Sequence, residues 1–176
     1  AVSWDGGGGD LNWSNAANWD TDSLPDADDD VTIASGFGAI QYSSGSDTVN
    51  SITSASPVTL SGGTLTVSTT IDVSTDFIIS GGALANATIL SGTTTVTGAG
   101  GVLNGVTVNG DVNMAAGQLT IVNGLTLNGT ATVGTSSLDS YGYLYLLGSQ
   151  TIGGTGHIEL GAHSGNGICL QDNNST

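Results

Sequence analysis

Residue types recur along this chain at a spacing of 19, and that recurrence limits the fold more than any other feature of the sequence. Asn104-Gly105-Val106-Thr107-Val108-Asn109-Gly110 lies over Asn123-Gly124-Leu125-Thr126-Leu127-Asn128-Gly129. The same offset sets Ser61-Gly62 over Ser80-Gly81, aligns Leu65 with Leu84 and Leu103, and makes a column of Thr88, Thr107 and Thr126. It also carries Leu125, Leu127 and Gly129 onto Leu144, Leu146 and Gly148. Within the units stand apolar, Thr, apolar triplets such as Val58-Thr59-Leu60, Leu65-Thr66-Val67 and Leu119-Thr120-Ile121, broken by Gly or Asn. Such triplets are short half-buried strands, and no segment has a helical period. A unit this small cannot enclose a core, so successive units must stack to bury their apolar side chains. Coils of a parallel β-helix do so, each strand pairing with its equivalent one coil later. An antiparallel sandwich is the alternative, but its hairpins do not require the same residue types to recur at a fixed interval.

The expected fold is therefore all-β: a right-handed parallel β-helix, or β-solenoid, with coils of about 19 residues over 31–176. The right hand follows the usual sense of parallel crossovers. With coils about 4.8 Å apart, the rod would be roughly 35 Å long. Residues 1–30 differ in kind, holding Trp4, Trp13 and Trp19 and eight of the fifteen acids, and we read them as an amino-terminal cap rich in Trp, Asp and Gly. Residues 34–57 are small and polar, and their elements cannot be placed from pattern alone.

Charge narrows function. The chain has no Lys or Arg against 15 acidic residues, a formal net charge of −15. Nucleic acids and anionic membranes are bound through Lys and Arg, so neither is an expected partner. Mechanisms built on an Arg clamp or a Lys Schiff base are ruled out as well. The hydrophobic share of 38% supplies a core, yet no apolar run approaches the roughly 18 residues of a membrane span. Cys169 is the sole cysteine, so it forms no internal disulfide.

The segment 123–161, with Asn-Gly-Leu-Thr-Leu-Asn-Gly and then Tyr143-Leu144-Tyr145-Leu146-Leu147-Gly148 through Gly156, resembles the repeats of large bacterial surface proteins. These are the autotransporter-associated β-strand repeat and filamentous-haemagglutinin-like families. The opening Trp4-Asp5-Gly6-Gly7-Gly8-Gly9-Asp10, followed by Asn12-Trp13-Ser14, Asn18-Trp19 and Leu24-Pro25, is similar to the entry segment of such exported proteins. The resemblance implies a β-helix, export, and adhesive or structural work, with no shared catalytic residues. Ala1-Val2-Ser3 is compatible with a mature secreted chain after signal-peptide removal.

Candidate sites are sparse. Asp5, Asp10, Asp26, Asp28, Asp29 and Asp30 offer hard oxygen ligands on a flexible backbone, a candidate calcium site, although their spacing departs from the EF-hand and nonapeptide patterns. Tyr141, Tyr143 and Tyr145 alternate with core-like Leu144 and Leu146, so they should face outward and contact a sugar or another subunit. Beyond residue 30 the acids are Asp47, Asp72, Asp76, Asp111, Asp139, Glu159 and Asp172, of which Asp72 and Asp76 are able to share a face. His157 and His163 would form an acid-base or metal pair with Glu159 if the fold joined them. Sequons begin at Asn12, Asn86, Asn128, Asn173 and Asn174, as chance predicts in a chain so rich in Asn and Thr.

These readings favour a non-enzymatic extracellular module, a surface adhesin or a structural subunit that associates head to tail into a fibre. A carbohydrate-active enzyme of the pectin-lyase-like class is the alternative, because it shares the architecture. An ice-binding solenoid comes third, since beside Thr88, Thr107 and Thr126 stand Asn86, Gly105 and Gly124 where a second Thr column would be needed.

Overall fold

A computed structural model describes residues 1–93, 95–135 and 140–171. Asp139, Asp172 and the sequons at Asn173 and Asn174 lie outside them. The strands are β1 (Val2–Trp4), β2 (Asp30–Ile33), β3 (Ile40–Tyr42), β4 (Ser46–Val49), β5 (Ser51–Ser54), β6 (Val58–Val67), β7 (Thr70–Val73), β8 (Asp76–Ala85) and β9 (Thr88–Ile89). They continue with β10 (Thr95–Gly98), β11 (Val102–Val108), β12 (Val112–Met114), β13 (Gln118–Leu127), β14 (Thr130–Val133), β15 (Tyr143–Leu147), β16 (Ile152–Gly153), β17 (His157–Leu160) and β18 (Gly167–Gln171). The regular helix among the described residues is one 3-10 turn, Ala16–Asn18, and no helix is long and apolar enough to cross a membrane.

The pairings between these strands are parallel and sort into three ladders, with one isolated antiparallel bridge from Trp4 to Trp19. One runs β1, β2, β5, β7, β9 and the carboxyl half of β11 and β13 to β16. A second runs β3, the first half of β6 and β8, then β10, β12, β14 and β17. The third joins β4, the second half of β6 and β8, the first half of β11 and β13, β15 and β18. The long strands turn the corner from one ladder to the next, as at Gly82, whose φ of +66° only glycine adopts freely. Parallel strands in a closed stack of ladders are the architecture of a β-solenoid.

Alternation decides what is inside. In β7 and β14, Ile71, Val73, Ala131 and Val133 are buried while the residues between them are half-exposed. The inward side chains form one cluster that runs from Val2 to Leu144. Trp4, Trp13 and Trp19 belong to that cluster, with ring centroids of Trp4 and Trp13 at 5.0 and 4.8 Å from Trp19 and Trp13 a further 5.9 Å from Tyr42. The Trp19 indole N–H donates to the Trp13 carbonyl at 2.9 Å. The segment read as a cap is thus joined to the ladders: β1 pairs with β2, Val2 opposite Val31, and the tryptophans fill the core at that level. Residues 34–57, unreadable from pattern, supply β3, β4 and β5.

Paired residues stand 19 apart at Ile52–Ile71, Val58–Phe77, Leu65–Leu84, Leu84–Leu103 and Val106–Leu125. Thr88, Thr107 and Thr126 are opposite one another, as the repeat required, and Thr70 joins the column 18 residues before Thr88. The alignment of Leu125 with Leu144 does not hold. Leu125 pairs with Ile152, and Leu144 and Leu146 pair with Leu119 and Ile121, 25 residues earlier, because nine residues separate β14 from β15 where three separate β12 from β13.

Candidate functional site

Outward side chains of the ladders make the surface. On the first ladder the Thr70-to-Thr126 column is flanked by asparagine ladders: Asn123 donates to the Asn104 side-chain oxygen at 2.8 Å, and Asn128 to that of Asn109 at 2.7 Å. These bonds tie successive turns together from outside.

Five of the six residues considered for calcium accept local hydrogen bonds, and Asp28 joins them through its N–H. Asp5 Oδ1 accepts from the Gly7 N–H, and Asp10 accepts from the Asn12 N–H, Asn18 Nδ2 and Asn15 Nδ2 at 2.8–2.9 Å. Asp26 accepts from the Asp28 N–H, Asp29 from the Asp26 N–H, and Asp30 from Ser51 Oγ and Asn50 Nδ2. These bonds hold the Asp10 carboxyl below the usual carboxylate range, the Asn12 N–H foremost, and the Asp30 carboxyl likewise, Ser51 foremost. Among the described residues, no three His, Cys, Asp or Glu side chains gather as a metal-binding group.

Asp72 and Asp76 do not share a face. Asp72 is on the first ladder opposite Thr53, and Asp76 opens β8 on the second, opposite Thr95, so the corner between β7 and β8 separates them.

The second ladder brings other polar groups together. A groove of about 740 Å³ is lined in part by Asp111, Asn113, Thr132 and Glu159. Asp111 Oδ1 accepts from the Thr130 N–H at 2.8 Å. His157 Nε2 lies 3.1 Å from Glu159 Oε1 and 3.4 Å from Thr130 Oγ1. Both contacts use the same ring nitrogen, whereas a hydroxyl–His–acid relay needs one partner on each. The His157 and Glu159 side chains are 63% and 61% exposed, so solvent screens their attraction. His163 is elsewhere: its Nδ1 accepts from the Gly165 N–H, and its ring lies 5.3 Å from Tyr141.

On the third ladder Tyr143 and Tyr145 face outward on either side of buried Leu144, as the alternation predicted. Tyr143 stands between Gln118 and Gly167, and Tyr145 between Thr120 and Cys169. Their rings are 5.4 Å apart and inclined by 27°, while Tyr141 meets Tyr143 at 5.5 Å and 68°. Desolvation pushes the Tyr145 hydroxyl above the ordinary tyrosine value, with smaller contributions from Cys169, Tyr143 and Tyr141. Beside the rings is a groove of about 470 Å³ lined by Ala99, Ala116, Gly117, Gln118, Ser140, Tyr141 and Tyr143. Gln118 was not singled out in the sequence, and His163, considered there as a partner of Glu159, lies beside Tyr141 instead. Their place follows from separations of about 25 residues in the last turns, which the 19-residue repeat hides.

Comparison with protein-family models, curated proteins and solved structures finds no match. Fold and surface together define a protein of parallel β-strands consistent with a β-solenoid, with polar ladders on one side and a tyrosine row on another.

Proposed function

We propose that this chain is a non-enzymatic extracellular β-solenoid, structural or adhesive, wound right-handed in coils of about 19 residues. The observation that carries the reading is the stacking in register, with Thr and Asn columns knitting turn to turn outside a continuous core. Such a rod presents long repetitive faces, suited to contact along its length. The resemblance to autotransporter-associated and filamentous-haemagglutinin-like repeats supports an export route and a surface role.

Head-to-tail association is part of this proposal. Leu160, Ile168 and Leu170 are 54%, 45% and 79% exposed, an apolar surface on the last two described strands that a second copy would cover in a non-closing contact. Sedimentation over a range of concentrations should show association that Leu170→Asp weakens. A strictly monomeric species at high concentration would remove this part.

A pectin-lyase-like enzyme is the second reading, favoured by Asp111 and Glu159 lining one groove on an outer sheet face. Incubation with polygalacturonan and other acidic glycans separates the two. We expect no shortened product; turnover abolished by Glu159→Gln would overturn the non-enzymatic reading.

A further inference from the structure

We propose that the tyrosine row and its groove bind a neutral glycan chain, Tyr141 supplying the stacking face and Gln118 and the tyrosine hydroxyls the hydrogen bonds. This rests on the adhesive reading above and names its ligand class. Tyr143 and Tyr145 turn their faces toward each other, which leaves mainly their edges and hydroxyls to solvent. Tyr141, inclined by 68° to Tyr143 and with His163 5.3 Å away, is still 52% exposed and so keeps ring surface free. An aromatic face of that kind packs on the C–H side of a pyranose ring, while the hydroxyl rim of the sugar needs donors and acceptors alongside.

Those partners are present. The side chains of Gln118, Tyr141, Tyr143 and Tyr145 make no hydrogen bond among the described residues, so none must be broken to receive a ligand. Ala99, Ala116 and Gly117 carry little or no side chain, which keeps the groove beside the rings open. Its 470 Å³ lies within the roughly 300–1,000 Å³ of small-molecule sites, and the 5.4–5.5 Å between rings is close to the length of one sugar unit in an extended chain.

Charge chooses the class of glycan. Among the described residues no Asp or Glu lines this groove, and the chain offers no Lys or Arg to pair with a uronate or sulfate while its net −15 repels both. A neutral chain meets no such opposition. A peptide partner finds a row of rings without charged complements, and a second copy brings another 15 negative charges to the same surface.

The test is calorimetric titration of the intact chain with cellohexaose, xylohexaose and mannohexaose, and with hexagalacturonate as the acidic counterpart. Each is run at low and high salt, and each mixture is chromatographed afterwards for shortened sugars. We expect at least one neutral hexasaccharide to bind equally in both salts and hexagalacturonate to give no heat. Tyr141→Ala should weaken binding about tenfold, Tyr141→Phe should retain most of it, and Gln118→Ala should weaken it severalfold. Both positions are exposed, and unchanged thermal melting will establish that the variants fold. Absence of neutral binding, or binding that both Tyr141→Ala and Gln118→Ala leave intact, overturns the proposal. Self-association without sugar that Tyr141→Ala abolishes also overturns it, giving the surface to a second copy. Shortened neutral sugar together with Tyr141-dependent binding supports the glycan site and overturns only the non-enzymatic reading.

Discussion

Asp10 holds three parts of the amino-terminal loop with one carboxylate, reaching the Asn12 N–H and the amides of Asn15 and Asn18. Its folded pKa lies below the ordinary value, so its contribution to stability is present above the usual carboxylate range and is lost as pH falls through the folded pKa. Stability measured by denaturant with tryptophan fluorescence should therefore fall between about pH 5 and about pH 2. Asp10→Asn should be less stable near neutral pH and lose less over that interval; equal losses in both proteins would contradict the assignment. The example also shows where sequence reading stops. A run of Asp beside Gly has one composition whatever its oxygens meet, and it is the fold that shows Asp5 and Asp10 accepting from the loop's own N–H groups. Tyr143 and Tyr145 were legible because strand alternation sends them to the side opposite Leu144.

Between elements, the spacing of turns is enforced by backbone lying on backbone. A Cβ added to Gly82 would be 2.6 Å from the Gly62 carbonyl, on top of the positive φ. Gly82→Ala should cost about 2 kcal/mol or more, whereas Gly153→Ala, with nothing within 4 Å of the added carbon, should stay within about 0.5 kcal/mol. Equal urea midpoints for the two variants would contradict this account. The strands of the middle turns could be read because their inward residues are large and apolar in every unit. Those of 34–57 could not, since β4 sets Asp47 opposite Leu65 and β5 ends on Ser54. The longer connection before β15 escaped because Leu144-Tyr145-Leu146 imitates the triplet at Leu125, so the wrong alignment looks as good as the right one. The tryptophans read as a cap from composition, and their tie to the ladders is hidden in the sequence because β1 has three residues and its partner is 29 positions away.

Over the whole molecule, charge of one sign has no internal counterweight. Fifteen acids without Lys or Arg repel one another at the distances of a small rod, and salt screens such repulsion. The melting temperature should rise with sodium chloride, and a salt-independent melt would show that the repulsion is negligible. The same composition leaves trypsin no conventional cleavage site, so the heat-unfolded chain should survive the protease intact. A last consequence lies in the ladders, where each turn is held by the turns beside it. Pulled from its two ends, the molecule should yield as a ratchet, one turn at a time. In the middle, where partners are 19 residues apart, each slip would release about 65 Å of extended chain. Near β16 and β17, where they are 27 apart, the steps would be longer, so a force trace would read out the ladder spacing as tooth length.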